Sequence, residues 1–471
     1  MAATRIDCDI CIIGAGSGGL SVAAGAAMLG RKTVLVEKHK MGGDCLNTGC
    51  VPSKALIAAA SRAQGMREAG PFGIASVDPA VDYAKVMDHV HGVIASIAPM
   101  DSVERFTGLG VKVIQAEGRF LSPTELEAGG NRIRARRFVI ATGSRAVAPP
   151  IPGLADVAFL TNETLWDNRT LPEHLVVIGA GPIGLEMAQA HRRLGAKVTV
   201  LEAFKAFARD DAECAGAVLA VLRREGVDIR EGVKINKVGG TTGAFSITLG
   251  DGEVLQASHL LVAAGRAPNV EGLGLEAANV AYTKKGIGVD AKLRSSNKRI
   301  YAIGDVAGGL QFTHVAGYQA GLVIRSALFR FGGAYAASAI PWATYTDPEL
   351  AHVGLNETEA AKLGPMKVSR WKVEENDRAH AEHHHDGLIK VVAGKGGRVL
   401  GCTIAAPHAG DLIMPWVIAV QKKLTMRDMS GFVAPYPTLS EISKRAAGAY
   451  FSSTLFSPGV KRLVSFLSRF G

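Results

Sequence analysis

Short, wholly apolar runs recur along the chain, each closed by a glycine-rich turn and followed by a segment with helical spacing. Ile10 to Ile13 is the first such run; Gly14-Ala-Gly16-Ser-Gly-Gly19 closes it, and an Ala-rich stretch to Leu29 reads as a helix. A second run, Thr33 to Val36, ends in Glu37. The same succession returns further on: strand Leu175 to Ile178, turn Gly179-Ala-Gly181-Pro-Ile-Gly184, strand Lys197 to Leu201, then Glu202. Gly14, Gly16, Gly19, Gly30 and Glu37 map onto Gly179, Gly181, Gly184, Gly195 and Glu202 at one offset of 165 residues. Five matches in register mark a repeated structural unit.

Three more runs end in small residues: Phe138 to Gly143 through Thr142, Leu260 to Gly265 followed by Arg-Ala-Pro-Asn269, and Ile300 to Gly304 followed by Asp305. Beyond Pro341 the pattern changes to alternation. Glu349 to Val353, Met366 to Val373, Gly387 to Val392 and Arg398 to Ile404 read as antiparallel strands, with a helix over 411–423 and another after Pro435-Tyr436-Pro-Thr-Leu-Ser-Glu441. The expected fold is α/β: two Rossmann-like dinucleotide-binding units and a C-terminal α+β domain. The expected divisions are 1–150, 151–270, 271–338 and 339–471, with Pro149-Pro-Ile-Pro152 as a linker.

A strand, glycine turn, helix and second strand ending in an acid form the dinucleotide fingerprint. The small residues admit a pyrophosphate to the backbone, the helix N-terminus faces its charge, and the acid takes ribose hydroxyls. Two such units imply two nucleotides. At the second, the Glu202 carboxylate suits a ribose 2′-OH and repels a 2′-phosphate, which favours NADH over NADPH, although Lys205 and Arg209 lie close in sequence.

At 471 residues the chain exceeds one core and should form three or four domains. Six cysteines in this length make no secreted disulfide framework, no signal-like segment precedes the first strand, and no apolar run is long enough to span a bilayer. A cytoplasmic location is expected. The net charge of +10 is scattered rather than gathered with aromatics, which argues against nucleic acid as a partner. Cys8-x-x-Cys11 lies within the first strand and reads as core.

Gly42-Gly-Asp-Cys45-Leu-Asn-Thr-Gly-Cys50-Val-Pro-Ser-Lys54 places two cysteines at the start of a helix, with Pro52 suited to its first turn. The helix N-terminus lowers a thiol's pKa. By itself the spacing admits two readings, a pair of unrelated buried thiols or a small reducible disulfide.

Together, the repeated dinucleotide unit, the GGxCLNxGCxPSK segment, the GRxPN turn, the Gly304-Asp305 strand end and the terminal PTLSE segment resemble the flavin disulfide reductases, the group of dihydrolipoamide dehydrogenase, glutathione reductase and mercuric reductase. The resemblance covers essentially the whole chain. It implies FAD on the first unit, held by Gly14, Gly16, Gly19, Glu37, Lys54, Thr142, Gly143 and Asp305, and NAD on the second, held by Gly179, Gly181, Gly184, Glu202 and Gly265. It also implies a homodimer built by the last domain, an ion pair between Lys54 and Glu186 near the flavin edge, and a redox disulfide. In that disulfide Cys50 lies against the flavin and Cys45 exchanges with the acceptor, in a cleft lined by Tyr436 and Glu441.

One departure bears on the acceptor. The family's disulfide-exchanging members have His-Pro-Thr-x-x-Glu here, contributed from the partner subunit, with the His as proton acceptor for the dithiol, oriented by the Glu. This chain keeps Glu441 but has Tyr436, and a phenol with pKa about 10 is a poor base beside an imidazole near 6.5. Mercuric reductases also carry Tyr in this region, but their C-terminal cysteine pair is missing, since no Cys follows Cys402. The expected enzyme passes electrons from NADH through FAD and Cys45–Cys50 to a small-molecule or metal-ion acceptor. Reduction of Hg(II), Cu(II) or a quinone is the alternative, and a flavin-binding redox sensor a more distant one. His380 and His383-His-His385 read as a solvated loop rather than a metal site. The tail, Val460 to Phe470, is a basic amphipathic helix suited to the body of the dimer or to an anionic membrane surface.

Overall fold

In the computed structural model, which describes residues 4–331 and 333–470, a mostly parallel seven-stranded sheet, a parallel four-stranded sheet and an antiparallel five-stranded sheet organise the chain, with smaller antiparallel sheets between them in sequence. The first sheet centres on β1 (Thr4–Ile13), with β2 (Thr33–Glu37) and then Val111–Gln115 on one side and Asn131–Ile140 on the other, all parallel. Ile300–Ala302 pairs in parallel with Phe138 to Ile140, so the chain returns to this sheet after completing the second unit. Helix α1 (Ser17–Met28) connects β1 to β2 and packs on them through Leu20, Val22, Ala23 and Ala26.

Two helices follow in the redox segment, α2 (Gly43–Asn47) and α3 (Cys50–Arg67). The second unit repeats the plan with β3 (His174–Ile178), α4 (Pro182–Arg193) and β4 (Lys197–Leu201). Its four parallel strands run in the order Val227–Arg230, β4, β3, His259–Val262. Leu56 and Ala60 of α3 share an apolar cluster with Leu185, Ala188 and Leu194 of the second unit. The helix that begins at Cys50 is thereby pinned between the two nucleotide units.

Helix α5 (Thr313–Leu328) lies beside α1. The third sheet is antiparallel, in the order Trp342–Thr344, Glu349–Gly354, Val399–Ala406, Leu388–Ala393, Lys367–Lys372, and it closes over a core centred on Trp416. The expected helix over 411–423 is two pieces, Ala409–Leu412 and Met414–Lys422. Helices α6 (Glu441–Leu455) and α7 (Pro458–Leu467) end the chain. Cys8 and Cys11 are buried in one apolar cluster, and burial pushes both thiols up, Cys8 to about 12.

Candidate active site

The two glycine turns are built alike, atom for atom. Gly14 has φ +102°, and a Cβ there would fall 2.4 Å from the Ala141 carbonyl oxygen. Gly179 has φ +109°, and its Cβ would fall 2.7 Å from the Ala263 oxygen. A Cβ on Gly19 would meet the Gly14 oxygen at 1.9 Å, and one on Gly184 the Gly179 oxygen at 2.0 Å. Only glycine permits these approaches. The acids match as well. Glu37 accepts from the backbone N–H of Ala15 (2.6 Å) and His39 (2.7 Å), and Glu202 from that of Ala180 (2.8 Å) and Phe204 (3.0 Å). Gly16 and Gly181 cap their helices without a side chain, and nothing lies within 4 Å of either Cβ position. Each helix N-terminus therefore presents free N–H groups to open space, which fits a pyrophosphate.

The small-residue strand ends meet beneath the first turn. Thr142 and Asn269 clasp each other: the Thr142 hydroxyl donates to the Asn269 carbonyl (2.8 Å), and the Asn269 amide donates back to the Thr142 carbonyl (2.9 Å). Gly143 and Gly265, with φ +67° and +158°, both border open space. Asp305 is not a helix cap; that position belongs to Ile303. Its carboxylate accepts from the Ser144 hydroxyl, and burial raises its pKa against the opposing pull of Ser144 and Arg266. A half-buried acid at this strand end suits a polyol hydroxyl.

Cys45 sits within α2 and Cys50 opens α3, so two short turns bring the thiols into hydrogen-bond contact without bridging them. Their acidities diverge. The Cys45 thiol beside it, the Thr313 hydroxyl and the Lys54 ammonium all pull the Cys50 pKa below its ordinary value, and burial opposes them less strongly. Cys45 is held protonated, first by donating to Cys50 and then by burial. Of the two, Cys50 is the more acidic thiol.

Thr313, the first residue of α5, lies 3.3 Å from the Cys50 sulfur. Position 44 anchors the segment: Asp44 accepts from Thr48 (2.7 Å), Asn162 (3.2 Å) and Arg266 (3.1 Å). Arg266 in turn donates to Ser144, which joins the redox segment to the turn holding Asp305.

The Lys54–Glu186 ion pair forms at 2.8 Å between α3 and α4. Glu186 is 7% exposed and also accepts from the Tyr345 N–H (2.9 Å), while the Lys54 ammonium sits 4.2 Å above the Tyr345 ring. Beside Cys45 opens a cavity of about 380 Å³, lined by Ser17, Ser21, Val51, Asp101 and Arg105 among others; burial raises the Asp101 carboxyl. Cys50 is not part of that lining.

Tyr436 and Glu441 do not line this cavity in their own chain. The segment that carries them leads into α6, which packs on the third sheet. Tyr436 is 69% exposed and donates to Asp377 at 2.8 Å, a carboxylate that raises the phenol's pKa. The cleft expected around these residues is therefore not formed within one chain. His380 and His385 meet edge to face at 5.2 Å, and His383 leans on Phe72 at 4.8 Å. Among the described residues no group of three or more His, Cys, Asp or Glu is placed to hold a metal ion.

Sequence reasoning missed Thr313, Arg266, Tyr345 and Asp377. The Gly-Arg-x-Pro-Asn turn drew attention to Arg266 without giving it a partner. The others carried no local signal.

A doubled dinucleotide fold with a dithiol clamped between its units defines a flavin- and pyridine-nucleotide-dependent disulfide oxidoreductase. The chain belongs to the pyridine nucleotide-disulphide oxidoreductase family, whose model matches residues 8–320, and its last part matches that family's dimerisation domain over residues 340–447. It is 36% identical over 460 residues to the mercuric reductase of Acidithiobacillus ferrooxidans, covering 94% of this chain and 82% of that one. It is 35% identical over 463 residues to the dihydrolipoyl dehydrogenase of Thermus scotoductus, covering 94% and 97%. Among solved structures it resembles LpdA of Mycobacterium tuberculosis, with TM-score 0.86, 27% identity, and 95% and 99% coverage. It also resembles the Cu(II) complex of the HOCl-induced flavoprotein disulfide reductase RclA of Escherichia coli, with TM-score 0.84, 25% identity, and 93% and 99% coverage. The chain is an FAD-dependent NAD(P)H:disulfide oxidoreductase, and its dimerisation domain supports a homodimer.

Proposed function

We propose that the enzyme takes electrons from NADH and delivers them through Cys45 to a small acceptor, a soft metal ion bound as its thiolate ahead of a disulfide. FAD, when bound, supplies the exchange between hydride transfer and sulfur chemistry. The chain's own residues do the rest. The open turns at Gly14 and Gly179 receive the two pyrophosphates, Lys54 and Glu186 join the two units beside the dithiol, and Thr313 and Lys54 hold the charge on Cys50. Cys45 borders the cavity and is the sulfur to which the family resemblance gives the exchange with an acceptor, while Cys50 is the more exposed of the two and faces Thr313. NADH is favoured as donor because the Glu202 carboxylate stands at the end of β4 in the geometry that Glu37 has at the end of β2.

The observation that carries the choice of acceptor is Tyr436. Oxidising a dithiol needs a base to take its proton, and this phenol is a donor already committed to Asp377 with its pKa raised. General-base help is worth about 10²–10⁴-fold. A disulfide acceptor needs the same group to return a proton to its leaving thiolate, whereas a soft metal ion bound as its thiolate needs no such transfer.

The test is a steady-state panel with NADH and lipoamide, glutathione disulfide, Hg(II), Cu(II) and quinones, run beside dihydrolipoamide oxidation in the reverse direction. Turnover with a metal acceptor and feeble exchange with lipoamide, glutathione disulfide and dihydrolipoamide are expected, and Tyr436→His should raise dihydrolipoamide oxidation by at least about tenfold. Vigorous dihydrolipoamide oxidation by the unaltered enzyme would contradict the reading.

A further inference from the structure

None of the last helix's residues is buried against the described part of its own chain. Ser457 caps α7 by accepting from the Val460 N–H, and Pro458 starts it. At 100° per residue, Val460, Leu463, Val464, Phe466 and Leu467 fall within an arc of about 160°, and Phe470 follows in the turn after the helix. Lys461, Arg462 and Ser465 take the other side, and Ser468 and Arg469 lie in the closing turn. Leu463, Val464 and Leu467 are each more than half exposed, and Phe470 is 76% exposed. The family's dimerisation model stops at residue 447, so α7 lies outside the part of the chain it describes.

Charge separates the candidate occupants. From Ile442 to the end the chain carries Lys444, Arg445, Lys461, Arg462 and Arg469 and no acid at all. Pairing α7 with a second α7 would bring like charges together. It would also bury only about 200 Å² a side, taking the helix face as about 20 Å by 10 Å, a small addition to the interface the dimerisation domain already supplies. An anionic bilayer suits both faces of the helix. Its headgroups accept the cations while its acyl boundary accepts the apolar face. A homodimer presents two such helices, so each strengthens the binding of the other.

We propose that residues 456–470 form a peripheral anchor that lies flat on an anionic lipid bilayer, with Leu463, Val464, Leu467 and Phe470 in the acyl boundary and Lys461, Arg462 and Arg469 at the phosphates. No helix among the described residues is long and apolar enough to cross a membrane, so the contact is one of surface only.

The test is flotation of the full-length, FAD-loaded dimer with vesicles of phosphatidylcholine alone or with a quarter phosphatidylglycerol. Flotation is expected with the anionic vesicles and should weaken as salt is added. Each Lys or Arg removed should cost about fivefold in partitioning, so Lys461→Ser with Arg462→Ser should cost about 25-fold. Leu463→Glu with Leu467→Glu should abolish flotation, and none of these changes should alter NADH oxidation with a soluble acceptor. Flotation equal on neutral vesicles, or unaffected by the leucine changes, would overturn the proposal. So would a wild-type dimer that stays in solution and dissociates more readily once the leucines are replaced, because the helix would then be packing on the partner subunit.

Discussion

Replacing Thr313 by Val removes the hydroxyl that faces Cys50 and leaves a side chain of nearly the same volume. The Oγ1–Sγ distance is 3.3 Å, and this hydroxyl is one of three groups that lower the Cys50 pKa, after the Cys45 thiol and ahead of the Lys54 ammonium. A hydrogen bond to a charged group is worth about 1.5–3 kcal/mol, and one pKa unit corresponds to about 1.4 kcal/mol. Since sulfur is a weak acceptor and two other groups remain, the loss should raise the Cys50 pKa by about one unit. The direction follows from charge: the hydroxyl donates to the thiolate and not to the thiol, so its removal disfavours the ionised form. The assay is the pH dependence of alkylation of the Cys50 peptide, in a Cys45→Ser background so that a single redox thiol titrates. Thr313→Val should shift the profile to higher pH, and Lys54→Met should shift it the same way by less. An unchanged or lowered apparent pKa in Thr313→Val would refute the idea that this residue stabilises the Cys50 thiolate.

Three further outcomes follow from the geometry. Glu186→Gln leaves Lys54 facing an amide; after allowance for the 39% exposure of Lys54, the loss should be about 1–2 kcal/mol and should largely vanish in a Lys54→Met background, as a double-mutant cycle by denaturant titration would show. Glu202→Ala should narrow the preference for NADH over NADPH by about tenfold, read from kcat/KM for each nucleotide, because a carboxylate on the ribose hydroxyls contributes on the order of 1.5 kcal/mol. His191 is wholly buried against Tyr83, and burial lowers its pKa from 6.5 to about 4. The unfolded chain takes up its proton first, so roughly 3 kcal/mol of stability present above pH 6.5 should be lost as pH falls through about 4; His191→Gln should flatten that slope in urea titrations, and an unflattened slope would assign it to other groups.

Much of the site was legible because the chemistry of the dinucleotide turns is local. The offset that carries Gly14 onto Gly179 also carries Ala15, Glu37 and His39 onto Ala180, Glu202 and Phe204, and the backbone-to-carboxylate bonds repeat with them. Cys45, Cys50 and Lys54 were readable for the same reason, being held within two adjoining helices. The rest depends on segments that meet only on folding. Thr313 is 263 residues from Cys50, Arg266 is 222 from Asp44, and Asp377 is 59 from Tyr436. No periodicity or turn signal connects such pairs, because packing of the third sheet and of α5 decides them. The tail shows the same limit: its amphipathic face was plain in the sequence, whereas its lack of any burial against the described part of its own chain was not.

Electron delivery to the sulfur pair is tested most directly by anaerobic titration of the FAD-loaded enzyme with NADH, counting accessible thiols by alkylation and mass mapping. NADH should convert the oxidised protein to one with a new pair of alkylatable thiols at Cys45 and Cys50, with Cys45 reacting first with added disulfide, and Cys45→Ser or Cys50→Ser should abolish the gain. Bleaching of the flavin with no thiols appearing at these two positions would contradict the account.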